Sequence, residues 1–269
     1  MNEKKLRLGL VGKDVSKSDS EKIHKFILGE WGVACEYQRF SVLPNEFDNA
    51  VRTLLGDFDG FNITIPYKRD IFEYLDEITG DALSCGSVNT VVCATRKGYN
   101  TDGVGFLQML ALSGIKTNGK KVLVLGAGGS GRSTAVALKN AGARVWLYRR
   151  TQAELQETCE QLGVEPAKDL QKGGYDIVIN CTGVGMHDTV GISPVSEKAF
   201  CGASVAVDLI YAPAQSEFLR IANRLGLQTL NGAAMLFYQA YYADCLFLGD
   251  EAEQKEAERL YLAYTQENA

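Results

Sequence analysis

Five polar side chains in the N-terminal part of the chain have the residue types and spacing of a site that binds a ligand and moves a proton. Asn62 and Thr64 stand two residues apart, so on a strand they share one face, and Lys68 follows where a proline stops the strand. Asn89 and Asp102 come next, each in a short polar segment with glycine nearby. Amide, hydroxyl, ammonium and carboxylate groups at strand ends indicate a polyhydroxylated or carboxylated ligand. Each residue alone could instead be an ordinary turn residue or a solvated lysine.

A glycine-rich turn in the middle of the chain has the spacing of a nucleotide-binding loop. The four apolar residues Val122–Leu125 are typical of a buried strand and lead into Gly126, Gly128 and Gly131. A segment with apolar residues at helical spacing follows. In dinucleotide-binding folds the first glycine allows the turn, the second lets a pyrophosphate approach and the third lets helix and strand pack closely. The sequence therefore predicts a dinucleotide site, the alternative being a glycine turn that binds nothing.

Two arginines and a threonine end the next predicted strand, where the choice between NAD and NADP is made. In NAD-binding sheets an acidic residue about 20 positions after the glycines binds the adenosine ribose. Here the strand ends in Arg149, Arg150 and Thr151, with no carboxylate among them. Guanidinium groups form bidentate bonds with phosphate and stack on adenine, so the sequence predicts NADP. The alternative is a solvated pair of strand-end charges.

The elements that must position these groups alternate between strand and helix patterns, which predicts an α/β chain of two domains. We expect a substrate-binding and catalytic domain made of residues 1–104 and 233–269. Residues 105–232 are expected to form a Rossmann-type parallel sheet that binds NADP. Because no strand follows Gly232, the C-terminal helices are predicted to pack back on the first domain.

Three segments of the first domain receive specific local predictions. The pattern predicts a helical patch over Ile71–Ile78 and a β-branched strand over Ser87–Ala94. Gly98–Gly105 is punctuated by glycines and is predicted to be a connector.

Composition limits the class of protein and its partners. The formal net charge of −5 over 269 residues argues against a nucleic-acid-binding or acidic-membrane surface. No apolar run approaches the roughly 18 residues of a membrane span. Seven cysteines without a CxxC pair predict free thiols in the cytoplasm, and two histidines disfavour a histidine-based metal site, so no metal is expected.

Nine segments in order along nearly the whole chain are similar to those of one enzyme family. The most specific are NITIPYK at 62–68 and NTDGVGF at 100–106. The others are the serine loop at 12–24, SVNT at 87–90, GAGGSGR at 126–132, RRT at 149–151, NCTGVGM at 180–186, DLIYAP at 208–213 and NGAAMLFYQA at 231–240. On these residues the chain resembles the shikimate dehydrogenase family.

The resemblance implies a reversible, NADP-dependent reduction of 3-dehydroshikimate to shikimate, with Lys68 and Asp102 as the catalytic pair. Hydride delivery to a ring ketone builds negative charge on its oxygen, which an ammonium group can stabilise and protonate. The resemblance also implies that Ser18 and Ser20 bind the substrate carboxylate and that Tyr211 helps to close the pocket. The side chains implied to bind ring hydroxyls are Asn62, Thr64, Asn89 and Gln239.

Cofactor contacts are implied for the glycine turn, the strand-end arginines and two later loops. The residues are Gly126, Gly128, Gly129, Gly131, Arg132, Arg149, Arg150, Thr151, Thr182, Met186 and Gly232. Met186 would form an apolar wall for the nicotinamide ring, the alternative being ordinary packing. The partner implied is a small molecule, and a monomer and a homodimer both stay open.

The serine loop departs from the family pattern. Lys17 stands where a histidine is common, and Asp14 and Glu21 stand where prolines are usual. A loop without these prolines has more conformational freedom to lose when substrate binds, which would weaken substrate affinity without changing the chemistry.

Two further departures leave the choice of cofactor and the choice of substrate open. Arg149 replaces the asparagine of the usual strand-end motif, so use of NAD stays open. Gly183 and Val184 replace a commoner serine or proline pair near the nicotinamide, so a quinate or broad-specificity dehydrogenase is an alternative. A non-catalytic dinucleotide-binding sensor is a further alternative, which the retained lysine and aspartate disfavour.

Overall fold

The computed structural model describes residues 5–268, and contacts divide the chain into two units. The first unit runs to Gln108 and resumes at Leu236, and the second unit is Met109–Met235. Each unit contains a six-stranded sheet with helices packed against it. The prediction of an α/β chain with two domains is confirmed.

The first unit contains a mixed sheet. Its elements are β1 (Leu6–Gly12), α1 (Ser20–Glu30), β2 (Cys35–Ser41), α2 (Phe47–Asp57), β3 (Gly60–Ile63), β4 (Glu77–Ile78), α3 (Gly80–Cys85), β5 (Thr90–Val92), β6 (Lys97–Tyr99) and α4 (Asp102–Leu112). The strands lie in the order β2-β1-β3-β5-β6-β4. Strand β1 is parallel to β2 and β3, β5 is antiparallel to β3 and β6, and β4 is parallel to β6.

The second unit is a parallel sheet whose order is β12-β11-β10-β7-β8-β9, which is the Rossmann arrangement. Its elements are β7 (Lys121–Leu125), α5 (Gly129–Asn140), β8 (Arg144–Tyr148), α6 (Leu155–Leu162), β9 (Glu165–Pro166), β10 (Ile177–Asn180), β11 (Val205–Asp208), α7 (Glu217–Arg224) and β12 (Gln228–Leu230). Helices α8 (Ala233–Leu248) and α9 (Gln254–Glu267) end the described chain.

Three local predictions in the first unit were only partly correct. The segment predicted as helix over Ile71–Ile78 is a 3₁₀ helix at Asp70–Tyr74 followed by β4, because Glu77 and Ile78 pair with β6. Only Thr90–Val92 of the strand predicted over Ser87–Ala94 is paired, and a 3₁₀ helix follows it. The connector predicted over Gly98–Gly105 contains the end of β6 and the start of α4.

Alternation along β3 gives the first unit one apolar and one polar face at this strand. Phe61 and Ile63 are buried in the hydrophobic cluster that α2 covers. Asn62 lies between them and therefore points to the opposite face, where Leu10 of β1 is its neighbour in register. This alternation places the Asn62 side chain, which is only 4% exposed, inside the unit.

Helix α8 packs closely on the start of α4, as predicted for the C-terminal helices. A Cβ atom at Gly105 would lie 2.7 Å from the backbone nitrogen of Gln239, so only glycine permits this approach. The glycine that suggested a connector therefore serves the packing of two helices. In the described part of the chain, no helix is long and apolar enough to cross a membrane.

Candidate active site

Lys68 and Asp102 form a buried ion pair in the first unit. The Lys68 Nζ atom lies 2.5 Å from Asp102 Oδ2, and the two side chains are 9% and 7% exposed. Lys68 follows the turn after β3, where its carbonyl oxygen accepts from the backbone of Val88. Asp102 is the first residue of α4, where the helix dipole favours a carboxylate. Since a charge away from water is costly without a partner, the pair holds its geometry tightly.

Asn89 engages the second oxygen of the same carboxylate. Its Nδ2 group donates to Asp102 Oδ1 at 2.8 Å, to Thr101 Oγ1 at 2.9 Å and to Gln239 Oε1 at 3.4 Å. Its Oδ1 atom accepts from the Thr101 backbone at 2.8 Å. The structure thus brings together four of the residues singled out from the sequence: Lys68, Asn89, Asp102 and Gln239.

Asn62 joins this group through the next strand. Its Nδ2 group donates to Thr90 Oγ1 at 3.2 Å and to the carbonyl of Asn89 at 3.4 Å. Thr64 follows β3 with a half-buried side chain, and its backbone nitrogen donates to Val11 at 2.9 Å. The result is a buried set of amides, hydroxyls and one ion pair that can bind a polyhydroxylated molecule.

Ser18 and Ser20 lie at the N-terminus of α1. The Ser18 hydroxyl donates to Ser20 Oγ at 3.0 Å, and the Ser20 backbone nitrogen donates to Ser18 Oγ at 3.2 Å. Arg39 of β2 donates to the carbonyl of Ser16 at 2.7 Å and so ties the loop to the sheet. Two hydroxyls at the positive end of a helix dipole suit a carboxylate.

Tyr211 belongs to the second unit, in the segment after β11, and its side chain is half-buried. Its role at the substrate stays a prediction.

The glycine turn of the second unit has the packing that a dinucleotide loop requires. Gly126 follows β7 with φ of +102°, and a Cβ atom at Gly131 would lie only 2.0 Å from the Gly126 carbonyl oxygen. A Cβ atom at Gly128, which caps α5, would meet nothing within 4 Å. Among the residues that the structure describes, no side chain forms a capping hydrogen bond at the start of the twelve-residue helix that begins at Gly129. Open space at a helix N-terminus that follows a glycine turn fits a pyrophosphate.

The strand-end arginines are placed differently from each other. Arg149 Nη2 lies 2.6 Å from Glu154 Oε2, and its Nη1 atom donates to Thr158 Oγ1 at 3.1 Å. Arg150 and Thr151 are exposed. An exposed guanidinium and hydroxyl beside a second guanidinium fit a phosphate dianion. The Glu154 carboxylate, five residues after Arg149, was not considered in the sequence analysis.

The other residues implied to bind the cofactor lie in the second unit and have mainly internal contacts. Arg132 is buried, and its Nη2 atom donates to Gln161 at 3.2 Å. The Thr182 hydroxyl donates to Asn180 Oδ1 at 2.7 Å. Met186 is half-buried, and a Cβ atom at Gly232 would lie 2.0 Å from the Leu209 carbonyl oxygen.

A buried carboxylate that the sequence analysis did not identify organises two loops of the second unit. Asp208 Oδ1 accepts from Asn180 Nδ2 and from the Ile210 backbone, each at 3.0 Å, and Oδ2 accepts from the Ser216 hydroxyl at 2.5 Å. Asn180 in turn fixes the backbone of Thr182 at 2.9 Å. The hydrogen bonds of Asp208 therefore hold both the segment that contains Thr182 and the segment that contains Tyr211.

Replacing Asp208 with asparagine is expected to change how stability depends on pH. Burial raises the pKa of Asp208 above its usual value, although its hydrogen bonds act in the opposite direction. A carboxyl with a raised folded-state pKa contributes stability below its unfolded-state pKa and loses it as the pH rises through the folded-state pKa. Wild type should therefore lose stability relative to Asp208→Asn as the pH rises from about 4. Urea unfolding of both proteins at several pH values checks this, and a difference independent of pH would contradict it.

Fold and site together define the class of protein. A Rossmann sheet with a glycine turn, in a chain that also has a buried lysine–aspartate pair among amides and hydroxyls, is typical of nucleotide-dependent dehydrogenases. Within this class, the family model for the shikimate dehydrogenase substrate-binding domain matches residues 10–91. The NADP(+)-dependent shikimate dehydrogenase of Caldanaerobacter subterraneus is 37% identical over 258 residues, which cover 90% of this chain and 91% of that protein. The chain belongs to the shikimate dehydrogenase family.

Solved structures of the family resemble the chain over nearly its full length. Shikimate dehydrogenase 1 from Peptoclostridium difficile is 30% identical with a TM-score of 0.88, covering 97% of this chain and 98% of that one. The shikimate 5-dehydrogenase of Thermus thermophilus, solved in complex with NADP(H) and shikimate, is 32% identical with a TM-score of 0.87 and covers 95% and 98%.

Proposed function

We propose that the chain catalyses the reversible, NADP-dependent reduction of 3-dehydroshikimate to shikimate, a step toward chorismate and the aromatic amino acids. The observation that carries the proposal is the buried Lys68–Asp102 pair, with Nζ and Oδ2 at 2.5 Å and Asn89 on the other carboxylate oxygen. Its family relatives named as NADP(+)-dependent shikimate dehydrogenases support the same reaction.

Lys68 supplies the proton in this reaction. The cofactor, when bound, provides the hydride that is added to the ketone carbon. The Lys68 ammonium donates a hydrogen bond to the ketone oxygen, stabilises the negative charge that develops there and transfers its proton to it. In the oxidation direction the neutral amine removes the hydroxyl proton. Asp102 orients Lys68 and attracts its charged form.

The remaining side chains of the proposed substrate site bind and orient. Ser18 and Ser20 donate to the substrate carboxylate, and Tyr211 helps to close the pocket. Ring hydroxyls are bound by Asn62, Thr64, Asn89 and Gln239. Because a buried amide left without a partner is costly, these groups select a ligand whose hydroxyls match them.

We assign substrate binding and catalysis to the domain predicted as residues 1–104 and 233–269, and NADP binding to residues 105–232. The pyrophosphate is held by Gly126, Gly128, Gly129 and Gly131, with Arg132 behind the turn. The 2′-phosphate is held by Arg149, Arg150 and Thr151. The nicotinamide end of the cofactor is contacted by Thr182, Met186 and Gly232.

Replacing Arg150 with aspartate is expected to raise KM for NADPH by roughly 10–100-fold, since a charge-assisted bond is lost and a like charge is introduced. KM for NADH should change by less than about threefold, because NADH has no 2′-phosphate. Arg144→Asp is the matched control, because Arg144 begins the same strand and stacks on Trp146 at 5.5 Å. Initial rates with both cofactors check this, and equal losses for NADPH and NADH would contradict the assignment.

The experiment that tests the function is a set of initial rates followed by NADPH absorbance. We expect 3-dehydroshikimate to be reduced with NADPH, and shikimate to be oxidised with NADP much faster than quinate. Equal rates with quinate would indicate a broad-specificity enzyme, in line with the Gly183–Val184 departure. No turnover with any of these substrates would indicate a dinucleotide-binding sensor and overturn the proposal.

We also propose that the enzyme works in the cytoplasm, as a monomer or a homodimer. The seven cysteines include no CxxC pair, as suits a reducing compartment.

A further inference from the structure

The Tyr37 hydroxyl is hydrogen-bonded to a side chain of the proposed substrate site. Tyr37 belongs to β2 and is only 4% exposed. Its hydroxyl donates to Asn62 Oδ1 at 3.0 Å, across the intervening strand β1. Burial raises the pKa of Tyr37 well above its usual value, and the Ser20 side chain acts in the opposite direction. The hydroxyl therefore stays protonated and keeps its hydrogen for Asn62.

Three partners fix the orientation of the Asn62 amide. Its Nδ2 group donates to the carbonyl of Asn89 at 3.4 Å, an oxygen that can only accept, and to Thr90 Oγ1 at 3.2 Å. The amide oxygen therefore faces the other side, where the Tyr37 hydroxyl donates to it at 3.0 Å. Without the phenol oxygen, the buried amide oxygen would lose this hydrogen bond.

The ring of Tyr37 is itself held in place. It stacks on the imidazole of His24, with ring centroids 4.7 Å apart and planes 18° from parallel. His24 Nδ1 lies 2.6 Å from Asp244 Oδ1, and both of these side chains are fully buried. The ring of Tyr37 therefore packs against an imidazole that Asp244 of α8 holds in place.

We propose that Tyr37 is a positioning residue that holds the Asn62 amide in one orientation, and so sets the affinity for a carboxylated cyclic polyol. This inference rests on the proposed function of the same site. Tyr37 does not touch the reacting atoms, which lie at Lys68 and Asp102. Its contribution is therefore made to substrate binding rather than to proton transfer.

Tyr37→Phe keeps the stacked ring and removes only the oxygen. We expect KM for 3-dehydroshikimate to rise about tenfold, with kcat within about threefold and KM for NADPH unchanged, as the loss of one buried hydrogen bond predicts. Direct titration of shikimate by calorimetry should show the same loss of affinity. The matched control is Tyr241→Phe, in the same unit, where a 1% exposed hydroxyl bonds the backbone N and O of Glu253, each at 2.9 Å. That variant should lower the melting temperature and leave both KM values unchanged.

A double-mutant cycle separates positioning from general stability. In an Asn62→Ala background, Tyr37→Phe should change KM by much less than in wild type, because the group that it orients is gone. An unchanged KM in Tyr37→Phe, or additive effects with Asn62→Ala, would overturn the inference while leaving the proposed function intact. A wild-type protein that neither reduces 3-dehydroshikimate nor binds shikimate would overturn both.

Discussion

Replacing Lys68 with methionine is expected to lower kcat for the reduction of 3-dehydroshikimate by roughly 10³-fold, the usual range for loss of a general acid. KM should change by less than about tenfold, because the lysine acts mainly on the charge that develops in the transition state. Methionine is chosen because it has a similar length and can fill the buried space that the lysine leaves. Steady-state rates with saturating NADPH provide the measurement.

The control for this variant is Lys97→Met. Lys97 is also paired with a carboxylate in the first unit, with Nζ 2.6 Å from Glu77 Oε1, but its side chain is 27% exposed. It should leave kcat and KM unchanged. Because Lys68→Met leaves Asp102 buried without its cation, some loss of stability is expected as well, and the melting temperature must be recorded. A folded Lys68→Met protein with kcat within tenfold of wild type would contradict the proposed acid.

Replacing Gly131 with alanine is expected to damage the second unit and its cofactor site together. The new Cβ atom would lie 2.0 Å from the Gly126 carbonyl oxygen and 3.3 Å from the Cβ atom of Cys181. The first of these contacts is with backbone, so the turn and α5 must move apart. Overpacking of this kind costs about 1–3 kcal/mol. We expect a lower melting temperature and at least a tenfold rise in the Kd for NADPH, measured by fluorescence titration.

Gly128→Ala distinguishes packing from ligand approach. A Cβ atom at Gly128 would meet nothing within 4 Å, and the backbone there has φ of −72°, which alanine adopts freely. This variant should melt like wild type but bind NADPH less tightly, since the methyl group would occupy space proposed for the pyrophosphate. Equal melting temperatures for all three proteins would show that the Gly131 contact relaxes at little cost.

The fold of the second unit could be read from the sequence because its signals are local. Runs such as Val122–Leu125 are buried on both faces of a parallel sheet and so are continuously apolar. The first unit was harder, because its short strands are defined by their partners. Glu77 and Ile78 form a strand through pairing with β6, and the glycine at 105 is required by the close approach of α8 to α4. Such contacts join residues far apart in sequence and leave no periodic pattern.

The residues of the candidate site likewise divide into those with a local sequence signal and those that only distant contacts define. Asn62 and Thr64 could be placed on one strand from their spacing, whereas the pairing of Lys68 with Asp102 came only from the family resemblance. Tyr37 and Asp208 gave no signal, because a tyrosine within a strand and an aspartate at a strand end are both common. Their importance lies in hydrogen bonds to Asn62 and Asn180, which only the folded chain brings about.

The most direct test is to measure the shikimate formed and the NADPH consumed in one reaction, for wild type and for Lys68→Met. We predict one shikimate per NADPH for wild type, and formation roughly 10³-fold slower for the variant. Absence of shikimate from the wild-type reaction, or a folded variant that forms it within tenfold of the wild-type rate, would contradict the proposal that Lys68 protonates the ketone oxygen of 3-dehydroshikimate.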